Sequence, residues 1–280
     1  MRTRLAIAFL TVCLAGVATA GELVLPVFAL RWPGKDGNRW SSEVFLTNPG
    51  PATVRVGGPQ VIPGTVRTTV PCLPPVPAAR DVPPYRTVML TASELSLDLG
   101  CPDAVLGGLA FDADGPIRIS SRVINDRGVG DVGGVLSGLG QDVQALAGAD
   151  LAGPGGVHQL PGLIWDPFRC GHPPLFEVYL YLSNPGTDPV DVTLQQSRTG
   201  EPGELVINGV PVATPHVMHL QPREWRQLRV ELGGALPAVC LGPQVADLFF
   251  TTSGAVAMVG AVVDRASQDP WTVLPVRTAE

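Results

Sequence analysis

The sequence is poor in lysine. Lys35 is the single one among 280 residues, and every other side-chain cation apart from histidine is arginine. Charged residues fill only 16 % of positions, against about 25 % in ordinary soluble domains. No block of basic residues occurs, so the electrostatic footprint of a nucleic-acid binder is missing. Beyond the first twenty residues no apolar run is long enough to span a bilayer as a helix. Histidine is absent from the first half; His158, His172, His216 and His219 all lie in the second. No segment of helical length shows apolar residues at spacings of three and four, which excludes a helical bundle. At most a turn of helix is expected near residues 91–97, with Ser93 as a possible cap.

What is present begins with a leader. "MRTR" is basic, "LAIAFLTVCLAGV" is apolar, and "ATA" precedes Gly21, which is the layout of a secretory signal peptide cleaved after Ala20. Removing residues 1–20 leaves 260 and moves the formal charge from −6 to −8. Four cysteines then remain: Cys72, Cys101, Cys170 and Cys240. An even count in an exported chain favours disulfides, and four cysteines allow three pairings. If the domains fold separately, Cys72–Cys101 and Cys170–Cys240 is the natural set, each bond worth about 3–4 kcal/mol in the chain-entropy picture.

The chain is also written twice. "WSSEVFLTNPGPATVRV" (40–56) runs without a gap over "FEVYLYLSNPGTDPVDV" (176–192), and residues 101–126 run without a gap over 240–265. Leu25-Pro26 falls on Leu160-Pro161, Phe111 on Phe250, Gly115 on Gly254, and Tyr85 sits near Trp225. This reads as a tandem duplication of about 130 residues. It divides the chain into a signal peptide (1–20), a first repeat (21–150) and a second repeat (151–280), joined closely through a Gly/Pro-rich segment at 146–157. Segments in both repeats are short, rich in Val, Leu, Ile, Thr and aromatics, and bounded by turn residues, which predicts β-strands. Val44/Leu46 and Leu180/Leu182 share one strand face. "NPG" predicts a type II turn, with glycine at positive φ. Asn208-Gly209 predicts a two-residue type I′ hairpin. The expected fold is all-β: two tandem immunoglobulin-like β-sandwiches arising from an internal duplication.

The marks "LPV" or "LPGL", "FLTNPG" or "YLSNPG", "GPIRISSRVIND" and "GQDVQAL" resemble a tandem immunoglobulin-like β-sandwich repeat of exported bacterial proteins. That resemblance implies an uncharacterised sandwich module of secreted or surface proteins, and it brings no catalytic residues. The second copy departs from it, since Ala257-Met258-Val259-Gly260-Ala261 stands where the first has "RISSR".

Several constellations invite chemistry. "DADG" (112–115) hints at calcium, but Asp112 and Asp114 supply too few ligands, and the duplicate has "TTSG", so a turn is expected. "GVGDVG" (128–133) matches a dinucleotide fingerprint without the strand and helix that give it meaning. It falls in a loop, 128–140, that is long in the first copy only. His216 and His219, three apart on a strand, face opposite sides and do not converge on zinc. "GVLSG" (134–138) is not a serine elbow. No catalytic residue, metal or cofactor is therefore expected. Aromatics aligned between copies read as packing residues. Trp32, Trp40, Trp165 and Phe168, near the first long hairpin of each copy, are the candidate ligand or partner surface. The sequence thus points to an exported, non-enzymatic structural or interaction protein, periplasmic, extracellular or on the cell surface. Its partner would be a protein or an envelope polysaccharide. A carbohydrate-binding protein is the alternative, and a secreted hydrolase a remote one.

Overall fold

The computed structural model describes residues 21–34, 37–62, 78–101, 104–125, 139–165, 175–232, 243–265 and 270–278. In the first half the strands are β1 (Gly21–Leu30), β2 (Trp32–Pro33), β3 (Arg39–Thr47), β4 (Val54–Val56), β5 (Gln60–Ile62), β6 (Arg80–Val82) and β7 (Thr87–Leu90). A helix α1 (Ala92–Leu99) follows, then β8 (Val105–Ala113), β9 (Arg118–Asn125) and β10 (Leu139–Gln144). A 3₁₀ turn at Gly148–Asp150 leads into the second half. Its strands are β11 (His158–Trp165), β12 (Phe176–Ser183), β13 (Val190–Gln195), β14 (Gly203–Ile207), β15 (Val210–Thr214), β16 (His216–Leu220) and β17 (Trp225–Leu232). They continue as β18 (Gln244–Thr252), β19 (Ala257–Asp264), β20 (Pro270–Val273) and β21 (Val276–Arg277).

The protein is all-β with antiparallel sheets, two in each half. The first half orders its strands β1-β8-β4-β6 in one sheet and β10-β9-β3-β7 in the other. The second half orders them β21-β11-β18-β13-β16 and β20-β19-β12-β17-β14-β15. Alternation explains the pairing of faces: Val44 and Leu46 on β3, and Leu180 and Leu182 on β12, are all buried. Pro26 and Pro161 donate no backbone hydrogen bond, and the ladder of β1 with β8 and of β11 with β18 shifts register beside each. The hairpin at Asn208-Gly209 has φ of 52° and 83°, as a type I′ turn requires.

Three expectations are corrected. "NPG" does not form a type II turn, because neither Gly50 nor Gly186 takes a positive φ. The Asn48 carboxamide oxygen accepts from the Gly50 amide instead, at 2.9 Å, and Asn184 does the same for Gly186. The side chain replaces the backbone carbonyl of a β-turn, so glycine has no need of the left-handed region. The helix is longer than one turn and is capped by Thr91, not Ser93. The Thr91 hydroxyl accepts from the Glu94 amide while the Glu94 carboxylate accepts from the Thr91 amide, a reciprocal box. That bond to the Thr91 backbone, against the cost of burial, holds the Glu94 carboxyl below its ordinary range. Finally, Tyr85 is not the counterpart of Trp225. Thr87 and Trp225 occupy matching positions, opposite Thr47 on β3 and Ser183 on β12. Tyr85 matches Arg223: both have φ of 56°, and their amides donate to Gly50 and Gly186.

The two halves share a core. The larger apolar cluster, built on Leu25, Phe28, Leu46, Leu109 and Phe111 of the first half, also contains Tyr181, Trp225, Ala257, Val259 and Ala261 of the second. These residues lie on the outer face of the β12 sheet, whereas Met258 and Val262 of the same β19 strand point into the second core. Strands β1 and β10, which are edges of the first pair of sheets, lie against that face. Trp225 is 1 % exposed and its indole N–H donates to the Pro26 carbonyl at 2.7 Å. Gln141 donates to the Thr272 hydroxyl at 2.6 Å, and that hydroxyl donates to the Asp142 carbonyl at 2.8 Å. Arg223 pairs with Glu22. The contact covers two edges that would otherwise present unpaired backbone.

Candidate interdomain cleft

A cavity of about 330 Å³ opens where the first sandwich meets the β12 sheet. Trp32 and Trp40 form part of its wall from the first half; they are cross-strand partners on β2 and β3. Beside them the Gly34 amide donates to the Asn38 carbonyl at 2.7 Å. A Cβ at Gly34 would stand 2.9 Å from the Trp40 indole nitrogen, so only glycine lets the backbone pass. Val27 and Leu106 continue this apolar side.

The second half supplies Glu177, Tyr179 and Tyr181 from β12, Gln227 from β17, and Arg265 from the end of β19. The Tyr179 hydroxyl donates to Glu177 at 2.8 Å. Arg265 and Arg229 approach the other Glu177 oxygen at 3.6 and 3.9 Å. Burial raises the Tyr179 phenol above its ordinary range, helped by the carboxylate that accepts its proton. Burial pushes Tyr181 up to about 12. Gln227 lies 3.5 Å from the Tyr181 hydroxyl. The Tyr181 ring stacks on Trp225, centroids 6.1 Å apart, which ties the cleft wall to the shared core. The arrangement offers flat apolar surface, one carboxylate, one guanidinium and two carboxamides, which is the equipment of a binding site.

Of the four candidate surface residues, the cleft unites Trp32 and Trp40. Trp165 ends β11 in a different sheet, and Phe168 lies outside the described residues. Cys101 is buried, while Cys72, Cys170 and Cys240 lie outside the described residues, as do the 128–133 and 134–138 stretches. Asp114 accepts from the Arg55 amide at 2.8 Å, and Ser253 accepts from the Asp191 amide at 2.9 Å, so each half uses that position to close a turn. His219 sits 2.9 Å from Asp191 at the surface. Among the described residues no group of three or more His, Cys, Asp or Glu side chains is placed to hold a metal, and no helix is long and apolar enough to cross a membrane.

Sequence reasoning missed Glu177, Tyr179, Tyr181, Gln227 and Arg265. One signal was available. "VYLYL" and "AMVGAVV" are apolar on both faces, which marks strands covered on both sides.

No protein-family model matches the chain, and neither curated proteins nor solved structures yield a match.

Proposed function

We propose that this chain is an exported, non-enzymatic interaction protein of the adhesion type, made of two immunoglobulin-like sandwiches descended from one by duplication, and that it binds through the cleft between them. The observation that carries the reading is the cleft itself. It draws two tryptophans from one sandwich and two tyrosines from the other. Export rests on the leader at residues 1–20. The reading of a duplication is supported by matched details: a four-strand order shared by the corresponding sheets, the same asparagine turn, and glycines at 115 and 254 where an added Cβ would crowd a valine, Val54 or Val190. In the cleft Glu177 is held by a phenol and two arginines, which suits a positioned binding group.

Cosedimentation tests it. Residues 21–280 are mixed with washed envelope of the source cells, untreated or digested with protease. Pelleting with envelope is the expected result. A protein that stays in the supernatant in both arms contradicts the reading and directs attention to a soluble activity.

A further inference from the structure

We infer that the cleft is a saccharide-binding site that takes a neutral sugar unit of an extracellular glycan. The inference rests on the binding reading above and names its ligand.

Four features point to a sugar. A pyranose presents flat C–H faces and a rim of hydroxyls, each of which both donates and accepts. Trp32 and Trp40 offer adjacent aromatic surface for the faces. Glu177 and Arg265, 3.6 Å apart, place an acceptor beside a donor, which suits neighbouring hydroxyls. The pair carries no net charge, so a neutral ligand loses nothing to repulsion. Gln141 and Gln227 add carboxamides that do either job. The volume, about 330 Å³, lies at the lower end of the range of small-molecule sites, about 300–1,000 Å³. The walls come from both sandwiches and are fixed by the Trp225–Pro26 and Gln141–Thr272–Asp142 bonds, so little ordering remains to be done on binding.

Other occupants fit less well. A proline-rich peptide would suit the aromatics, but proline lacks an N–H and leaves Glu177 without a new donor. An anionic lipid headgroup would find no net positive charge in the Glu177–Arg265 pair.

The test is titration of residues 21–280 with cellotriose, chitotriose, maltotriose and the soluble oligosaccharide fraction of the envelope, beside a proline-rich decapeptide. Tryptophan fluorescence and calorimetry are read together. Expected is saturable binding of at least one saccharide, weakened at least tenfold by Trp40→Leu, by Trp32→Leu and by Glu177→Gln. Circular dichroism should be unchanged; leucine keeps apolar bulk where alanine would open a void. The absence of saturable binding by every saccharide overturns the inference, as does binding that all three variants retain. Binding of the decapeptide alone assigns the cleft to peptide and also overturns it. If the Trp40→Leu protein still pellets with envelope as the parent does, the saccharide assignment fails while the interaction reading stands.

Discussion

Asn48 and Asn184 stand 136 positions apart and make the same bonds. The Asn48 carboxamide nitrogen donates to the Ala52, Val82 and Pro83 carbonyls at 2.7, 3.0 and 3.2 Å. The Asn184 nitrogen donates to the Asp188, Leu220 and Gln221 carbonyls at 2.8, 3.4 and 3.0 Å. Each oxygen accepts from the glycine two residues on. Both side chains are buried. One asparagine thus ties a β-strand end, the turn after it and a strand of the opposite sheet.

Asn48→Ala and Asn184→Ala should each cost about 2–4 kcal/mol, because three carbonyls and one amide lose a buried partner. Asn→Asp should cost at least as much, since it turns an acceptor toward three acceptors. Denaturant unfolding of the single variants checks this. A loss under about 0.5 kcal/mol at either site contradicts the clamp.

The interface makes a second prediction. A Cβ at Gly108 would meet Trp225 at 2.9 Å and the Ser183 hydroxyl at 3.0 Å. Gly108→Ala should therefore destabilise by about 1–3 kcal/mol through overpacking. Trp225→Phe should cost a similar amount by stranding the Pro26 carbonyl. Thr87, at the matching place in the first half, is exposed, and Thr87→Ala should stay within about 0.5 kcal/mol. Equal effects at Thr87 and Trp225 would contradict the asymmetry.

Much of this was legible in the sequence. The alternation in "VFLT" and "LYLS" gave the core faces, and Asn208-Gly209 gave its hairpin, because both signals are local. The asparagine clamp was hidden, since two of the three acceptors of each carboxamide nitrogen lie 34–37 residues away and no local rule counts them. The cleft was half visible. Trp32 and Trp40 stood out as aromatics flanking the first long hairpin, but Glu177 and Arg265 became neighbours only through strand pairing, and their apposition to the tryptophans is made by docking one sandwich on the other. The replacement of "RISSR" by Ala257–Ala261 looked like a departure from the pattern. It is the outer face of β19 changing from solvent to interface, with Ala257, Val259 and Ala261 in the place of Arg118, Ser120 and Arg122.

Alkaline pH should loosen the cleft. Tyr179 and Tyr181 have phenols raised above the unfolded value of about 10. Above that pH the unfolded chain releases protons that the folded chain retains, so stability is intact below about pH 10 and falls as pH rises toward 12. In a Tyr85→Phe protein only these two tyrosines remain. Its tyrosinate absorbance should appear above pH 10, together with loss of the folded spectrum. A step centred near 10 with the fold intact would contradict the burial.

If each repeat closes its own disulfide, mass spectrometry of non-reduced peptides will recover Cys72 linked to Cys101 and Cys170 linked to Cys240. Recovery of Cys72 linked to Cys240 would contradict that pairing and tie the two repeats together covalently.

The central claim is that the second sandwich completes the core of the first, and that the cleft exists only because of this. Scanning calorimetry of residues 21–280 with intact disulfides tests it most directly. The account predicts one cooperative transition, with the van't Hoff and calorimetric enthalpies equal, that splits in two in a Trp225→Ala protein. Two independent transitions in the unaltered protein would show two domains that merely touch, and would remove the shared core on which the cleft depends.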